Sequence, residues 1–269
     1  MNRPRDTEAK RCVFIAGESP LAEEYASACV GAGMEVAVRF NAGSEGKLPA
    51  GAVRRARAGK KDTLGIELTN TSRETKRKNL ADMDRVLPSG TPILSASAAT
   101  TVAEQSAWVR TPERLIGIAA LPSLLQGTLV EIAPSLPAGR QAIEASQRFF
   151  RELGKETSVV QDSPGMVLPR ILCMLVNEAS FALGEGIARR GDIDTAMTLG
   201  TNYPLGPLAW GMKIGLEQVR AVLEGLRREF GEERYRTAPL LSRGTLEGSA
   251  VRSAGAPPTH SQKQRGNRP

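Results

Sequence analysis

Residues 162–215 read DSPGMVLPRILCMLVNEASFALGEGIARRGDIDTAMTLGTNYPLGPLAWGMKIG, and this stretch decides the fold. After Pro164 the apolar positions recur with helical spacing, around most of the circumference from Leu168 onward. The spacing predicts a long helix to about Arg189, then a short one capped by Asp192. A helix that is apolar nearly all round has to be covered on several sides, by neighbouring helices or by another chain. Farther on, the same period predicts helices over Leu216 to Phe230 and near Ala238 to Ser242, so residues 162–246 read as an all-α domain.

Upstream the pattern changes. Short apolar runs alternate with helical periodicity, the signature of βαβ units that build a parallel sheet. Strands are predicted at Cys12 to Ala16, Glu35 to Phe40, Thr63 to Leu68, Pro92 to Ser97, Leu115 to Ala120, Thr128 to Ile132 and Thr157 to Val160. Helices are predicted at Leu21 to Gly33, Ser72 to Arg85 with Thr71 or Ser72 as cap, Val102 to Val109 and Arg140 to Leu153. Residues 42–61 are glycine-rich and basic and are expected to form a loop or a poor helix. The fold class is therefore α/β: a Rossmann-like parallel sheet domain over residues 12–161, followed by the all-α domain. Residues 1–11 are expected to be flexible, and residues 247–269, small, polar and proline-containing, to be a disordered tail that holds the only histidine, His260.

Composition narrows the classes of function. A chain of 269 residues with 41% hydrophobic residues can bury a core without staples. Cys12, Cys29 and Cys173 lie in or beside apolar runs, with no pair spaced for a metal, which favours buried thiols in the cytoplasm and no metal site. The opening MNRPRDTEAKR is too polar for a signal peptide, and no apolar run is long enough to span a bilayer. The net charge of +7 gathers in short patches, and aromatic residues are scarce at 4%, which together argue against a nucleic-acid partner.

Asp162, Pro164 and Gly165, then Arg170, Asn177 to Ala179, Gly186 with Ile187, Ile193 with Asp194, and Gly206 to Leu208 occur in an order that resembles the C-terminal domain of 3-hydroxyacyl-CoA dehydrogenases. The resemblance covers about Cys12 to Arg243. It implies a two-domain NAD-dependent oxidoreductase of fatty-acid metabolism, NAD or NADP as hydride carrier, and a homodimer paired through the C-terminal helices. Leu168, Ile171, Leu172, Leu175 and Phe181 are the candidate pairing residues, or they fill the core of one chain.

Carried over position by position, most of the family's chemistry is missing. Its nucleotide fingerprint G-x-G-x-x-G falls on Gly17-Glu18-Ser19-Pro20-Leu21-Ala22, so Gly17, Ser19 and Ala22 are the cofactor-binding candidates, with Glu18 and Pro20 opposed to a pyrophosphate. The ribose-binding acidic residue is replaced by Arg39, Phe40 or Asn41; Arg39 facing a 2′-phosphate is the NADP reading. Glu67 and Lys76 match family positions near the cofactor, as structural remnants or ligands. The catalytic histidine falls on Ala119, while Glu131 matches the glutamate that orients it. The family's polar serine-asparagine-threonine-serine segment reads Ala96-Ser97-Ala98-Ala99, the asparagine that precedes its arginine is Pro169 and the aspartate after its glycine-proline-leucine turn is Met212. The basic run Arg54, Arg55, Arg57, Lys60 and Lys61 stands where the family has a longer arm for coenzyme A, as a phosphate contact or a solvated loop.

The expected function is accordingly a 3-hydroxyacyl-CoA dehydrogenase-like protein without catalysis, a pseudoenzyme kept as a binding or scaffold dimer for an acyl-CoA-like or nucleotide ligand. Two alternatives stand beside it: an active NAD(P)-dependent 3-hydroxyacyl-CoA or 3-hydroxybutyryl-CoA dehydrogenase using Glu131, Lys76 or Tyr203 as base, and an interaction module that pairs with a catalytic paralogue.

Overall fold

The computed structural model describes residues 10–244; the predicted disordered tail and His260 lie outside them, as do residues 1–9 of the predicted flexible start. Chain order begins β1 (Cys12–Gly17), α1 (Leu21–Gly31), β2 (Glu35–Phe40), β3 (Ala52–Arg54), β4 (Leu64–Leu68), α2 (Arg73–Val86), β5 (Ile93–Ala96) and α3 (Val102–Ser106). It continues through β6 (Leu115–Ile118), β7 (Leu129–Pro134), α4 (Arg140–Glu152) and β8 (Glu156–Val159). The helical part then follows as α5 (Leu168–Gly184), α6 (Arg190–Thr201), α7 (Pro207–Ile214), α8 (Leu216–Phe230) and α9 (Pro239–Gly244).

The eight strands form one sheet in the order β3-β2-β1-β4-β5-β6-β7-β8, parallel except for the antiparallel pair β6 and β7. The reversal of winding at β1 and β4 opens a crevice outside their carboxyl ends, the place where doubly wound folds bind ligands. Strand β1 is apolar throughout because both faces are covered. Val13 and Ile15 join α1 and α4 through Tyr25, Cys29, Phe149 and Phe150, while Phe14 and Ala16 join α2 and α3 through Leu80, Met83 and Val102. The basic run predicted as a loop contains the edge strand β3, whose three residues are too few to show an alternating pattern.

Helix α5 is the axis of the helical part. Cys173 and Val176 pack on Val219, Val222, Leu223 and Leu226 of α8 and on Tyr235 and Leu241, and Ala98 and Leu121 of the sheet part complete the same cluster. The residues that carry the resemblance are the ones that join these pieces. Asp162 accepts the N–H groups of Val102 and Ala103 at 2.8 and 2.7 Å and so caps α3. Asn177 donates to the Arg236 carbonyl and accepts the Ala238 N–H. Arg170 bonds the Tyr235 hydroxyl and lies over the Phe230 ring at 4.9 Å. Asp194 accepts the N–H groups of Leu208 and Ala209, closing the start of α7.

Two helix boundaries differ from expectation. Helix α5 stops at Gly184 because Gly186 takes a left-handed φ of 72°, so it does not reach Arg189. The next helix is entered at Arg189, with Asp192 inside its first turn rather than capping it. Helix α7 was hidden between Gly206 and Gly215, where its opening Pro207 resembled a turn.

Candidate active-site region

The crevice begins at the end of β1. A Cβ on Gly17 would lie 2.6 Å from Leu68 Cβ and 2.7 Å from its carbonyl oxygen, so glycine is required there by the neighbouring strand. The next residue, Glu18, is buried. Its carboxylate accepts the Asn70 N–H at 2.9 Å, the Thr71 hydroxyl at 2.6 Å and the Gln218 side-chain amide at 2.6 Å. Ser19 donates its N–H to the Ser44 hydroxyl and its own hydroxyl to Glu23. Ala22 is buried in the core, with its N–H bonded to the Glu18 carbonyl.

A pyrophosphate on a helix N-terminus needs free N–H groups and a positive local potential. Here Pro20 precedes α1 and contributes no donor, while Glu23 and Glu24 occupy its first turn beside Glu18. Burial raises the Glu24 pKa above its ordinary value, against the opposing bond from the Ser123 N–H, and neighbouring Glu23 adds to the rise. Gly17, Ser19 and Ala22 are thus brought together, but as packing and turn residues. The residues present do not fit a dinucleotide pyrophosphate.

The ribose end and its neighbours are likewise occupied from within. Arg39 donates to Asn79 at 2.8 Å, to the Ala56 carbonyl at 3.1 Å and to Asp82 at 3.3 Å. Glu67 and Lys76 are both fully buried and ion-paired with each other, and the ammonium also meets the Ser95 hydroxyl and the Ala96 carbonyl. The other Glu67 oxygen accepts from Asn79. The pair ties α2 to β4 and β5 and is sealed from the crevice. Of the basic run, Arg55 pairs with Asp62 and Lys61 with Glu35, while Arg54 lies over the Phe40 ring at 5.3 Å. A polar cavity of about 380 Å³ remains beside Glu18, lined by Asn41, Ser44, Thr71, Ser72, Glu45 and Glu217 among others.

Ala119 and Glu131 meet at the other end of the cleft. They line a cavity of about 20 Å³ with Tyr25, Leu124 and Leu168. Both carboxylate oxygens of Glu131 are committed, accepting the N–H groups of Val167 and Leu168 at 2.8 and 2.9 Å, so the side chain caps α5. Ala98 and Ala99 have become packing residues: α8 passes so close that a Cβ on Gly225 would lie 2.4 Å from the Ala99 carbonyl oxygen, which also accepts from Arg228. Ser97 is buried and bonded to the Ser95 carbonyl and Gln105. Pro169 starts α5, where its missing N–H costs nothing. Tyr203, 39% exposed, stands apart from Glu67 and Lys76 on an apolar groove of about 420 Å³ with Leu168, Ile171, Leu172, Leu175 and Trp210. Phe181 instead packs against the helical core, with Arg236 over its ring.

Sequence comparison agrees with this architecture. The profile of the 3-hydroxyacyl-CoA dehydrogenase C-terminal domain matches residues 165–259. A 3-hydroxybutyryl-CoA dehydrogenase of Bradyrhizobium diazoefficiens is 33% identical over 66% of this chain and 61% of its own length. A probable 3-hydroxybutyryl-CoA dehydrogenase of Bacillus subtilis is 30% identical over 71% of this chain and 66% of its own. These matches span just under two thirds of the relatives. The solved (S)-3-hydroxybutyryl-CoA dehydrogenase of Ralstonia eutropha superposes with a TM-score of 0.73 at 28% identity, over 89% of this chain and 95% of that one.

The chain belongs to the 3-hydroxyacyl-CoA dehydrogenase family. Within that family frame, the part of the site that sequence reasoning missed is the pair Asn70 and Gln218. Glu18 stood out in the fingerprint as a carboxylate beside a dianion, but nothing in the sequence marked the donors that receive it, one of them 200 positions away. Among the described residues no group of histidine, cysteine, aspartate and glutamate is placed to hold a metal ion, and no helix is long and apolar enough to cross a membrane.

Proposed function

We propose that this protein is a non-catalytic member of the 3-hydroxyacyl-CoA dehydrogenase family, a cytoplasmic pseudoenzyme that works as a binding or scaffold dimer. One observation carries the reading: where the family's resemblance requires an imidazole held by a glutamate, this chain has the methyl group of Ala119, and Glu131 spends both oxygens on α5. Removing a general base typically costs about two to four orders of magnitude. The crowded β1–α1 turn supports the same conclusion for the hydride carrier. The exposed apolar residues Leu168 and Ile171, with Leu172 and Leu175 half-buried beside them, support pairing of two helical domains; an acyl-CoA-like molecule is the ligand class the family suggests.

Steady-state reduction of acetoacetyl-CoA with NADH and with NADPH tests the reading. No turnover above background is expected, and no saturable quenching or enhancement of NADH fluorescence. Turnover with either cofactor overturns it.

A further inference from the structure

Glu18, Asn70 and Gln218 form a closed ring of hydrogen bonds across the cleft between the sheet and the helices. Gln218 donates to the Glu18 carboxylate at 2.6 Å and accepts from the Asn70 amide at 2.9 Å, while the Asn70 N–H donates to the same carboxylate at 2.9 Å. Asn70 also donates to the Ala120 carbonyl at 2.9 Å. All three side chains are buried, between 5% and 7% exposed. Other polar links join the sheet to the helices as well: Glu131 to the Val167 and Leu168 N–H groups, the Gly165 N–H to the Ala98 carbonyl, Lys213 to Gln126 and Arg228 to the Ala99 carbonyl; the ring at Glu18 differs from them in joining three buried side chains.

A carboxylate withdrawn from water needs donors, and Glu18 has three: two from the β4–α2 loop and one from the first turn of α8. An anion thus already sits at the crevice where a doubly wound fold takes its ligand, and one of its donors comes from the far domain. We propose that Glu18 is an internal anion that latches the two domains together across the cleft, beside the polar cavity of about 380 Å³ that it lines. The inference stands apart from the question of turnover: the ring would join the domains of an active enzyme equally well.

The latch predicts coupling between Glu18 and Gln218. A hydrogen bond to a charged group is typically worth enough to shift an equilibrium by about tenfold or more. Hydrogen–deuterium exchange on the full chain reads it at the Asn70 N–H, which Gln218 does not itself bond. In Glu18→Ala this amide is expected to exchange at least about tenfold faster. Gln218→Ala is expected to speed it as well, by loosening the carboxylate, and the double variant is expected to be no faster than Glu18→Ala alone. Amides of the central strand β4, such as Ile66, serve as the control and keep their protection if the sheet is intact. Small-angle scattering on the same variants should show a larger radius of gyration for Glu18→Ala. The proposal fails if Gln218→Ala leaves the Asn70 amide unchanged, if the two effects simply multiply, or if the sheet amides lose protection to the same degree as Asn70, because the ring would then be ordinary core packing.

Discussion

Ala119 and Glu131 line one cavity of about 20 Å³, and the Ala119 N–H donates to the Glu131 carbonyl at 3.0 Å. The two positions that the family resemblance pairs are in register, with a methyl group at one and a carboxylate bonded to the start of α5 at the other. Restoring one residue is not expected to restore the pair, because both Glu131 oxygens already accept from Val167 and Leu168 and the cavity that Ala119 lines is only about 20 Å³. Ala119→His is expected to lose about 1–3 kcal/mol of stability through overpacking. On the proposed non-catalytic reading, the variant is also expected to show no reduction of acetoacetyl-CoA. Urea unfolding and the steady-state assay check the two halves separately; a gain of turnover would contradict the crowding argument.

Glu131 holds the start of α5: it accepts the Val167 and Leu168 N–H groups, and the N-cap residue Val167 makes no side-chain cap bond of its own. Glu131→Ala should therefore behave as the loss of an N-terminal cap, about 0.5–2 kcal/mol, with an added cost for two backbone donors left without a partner. Glu131→Gln keeps one acceptor and should fall between the wild type and the alanine variant. Urea midpoints compared at equal slope distinguish the three.

Lys76 and Glu67 form an ion pair with almost no exposure, 1% and 0%. Breaking such a pair leaves an uncompensated buried charge, whereas replacing both members by apolar residues removes the charge altogether. Lys76→Met and Glu67→Leu are each expected to cost about 3–5 kcal/mol, and the double replacement distinctly less than their sum. Thermal and denaturant unfolding of the set measures the coupling. If Lys76 were a working base, its loss would be read in activity and not in this non-additive stability pattern.

How much of this could be read in the sequence depends on the range of the contacts. Asp162, Arg170, Asn177, Asp194 and Gly206 are legible because each closes a helix end or a helix–helix joint, tasks that restrict residue type tightly. The apolar runs of β1 and β4 announce a sheet covered on both faces. The cleft was legible only as a set of losses: Ala119, Ser19 and Ala98 show what is absent, not what borders the space. What borders it is the bond between Glu18 and Gln218, 200 positions apart, and the approach of Gly225 to Ala99, which no local pattern encodes. Strand β3 failed for a different reason, since three residues give too short a period to detect.

Asp84 gives the protein a specific acid sensitivity. Burial alone would raise its pKa, but the Thr111 hydroxyl, the Arg110 N–H and the Arg114 guanidinium outweigh that and hold it below the ordinary aspartate value of 3.8. The folded state therefore binds this proton less readily than the unfolded state. Stability from Asp84 is complete above that ordinary value and is lost as the pH falls beneath it, through the lower folded value. Asp84→Asn should be less stable than the wild type at pH 7, and the gap should narrow below about pH 4. Unfolding midpoints measured from pH 7 to pH 3 give the comparison; a gap that stays constant would show that Asp84 contributes through packing and not through its charge.

Gly206 and Asp194 show why the glycine-proline-leucine turn tolerates no side chain at its first position. A Cβ on Gly206 would lie 2.3 Å from both Cβ and Oδ1 of Asp194, and that aspartate cannot withdraw without releasing the N–H groups of Leu208 and Ala209. Gly206→Ala is thus expected to destabilise the protein by more than the cap alone is worth, since it displaces the cap and strains the turn together. Asp194→Ala should cost about 1–2 kcal/mol. In the double variant the added methyl group meets a smaller neighbour, so Gly206→Ala should cost less in the Asp194→Ala background than in the wild type. A four-member urea cycle measures this directly, and strict additivity would mean that the turn yields elsewhere and the clash at Asp194 is not what requires the glycine.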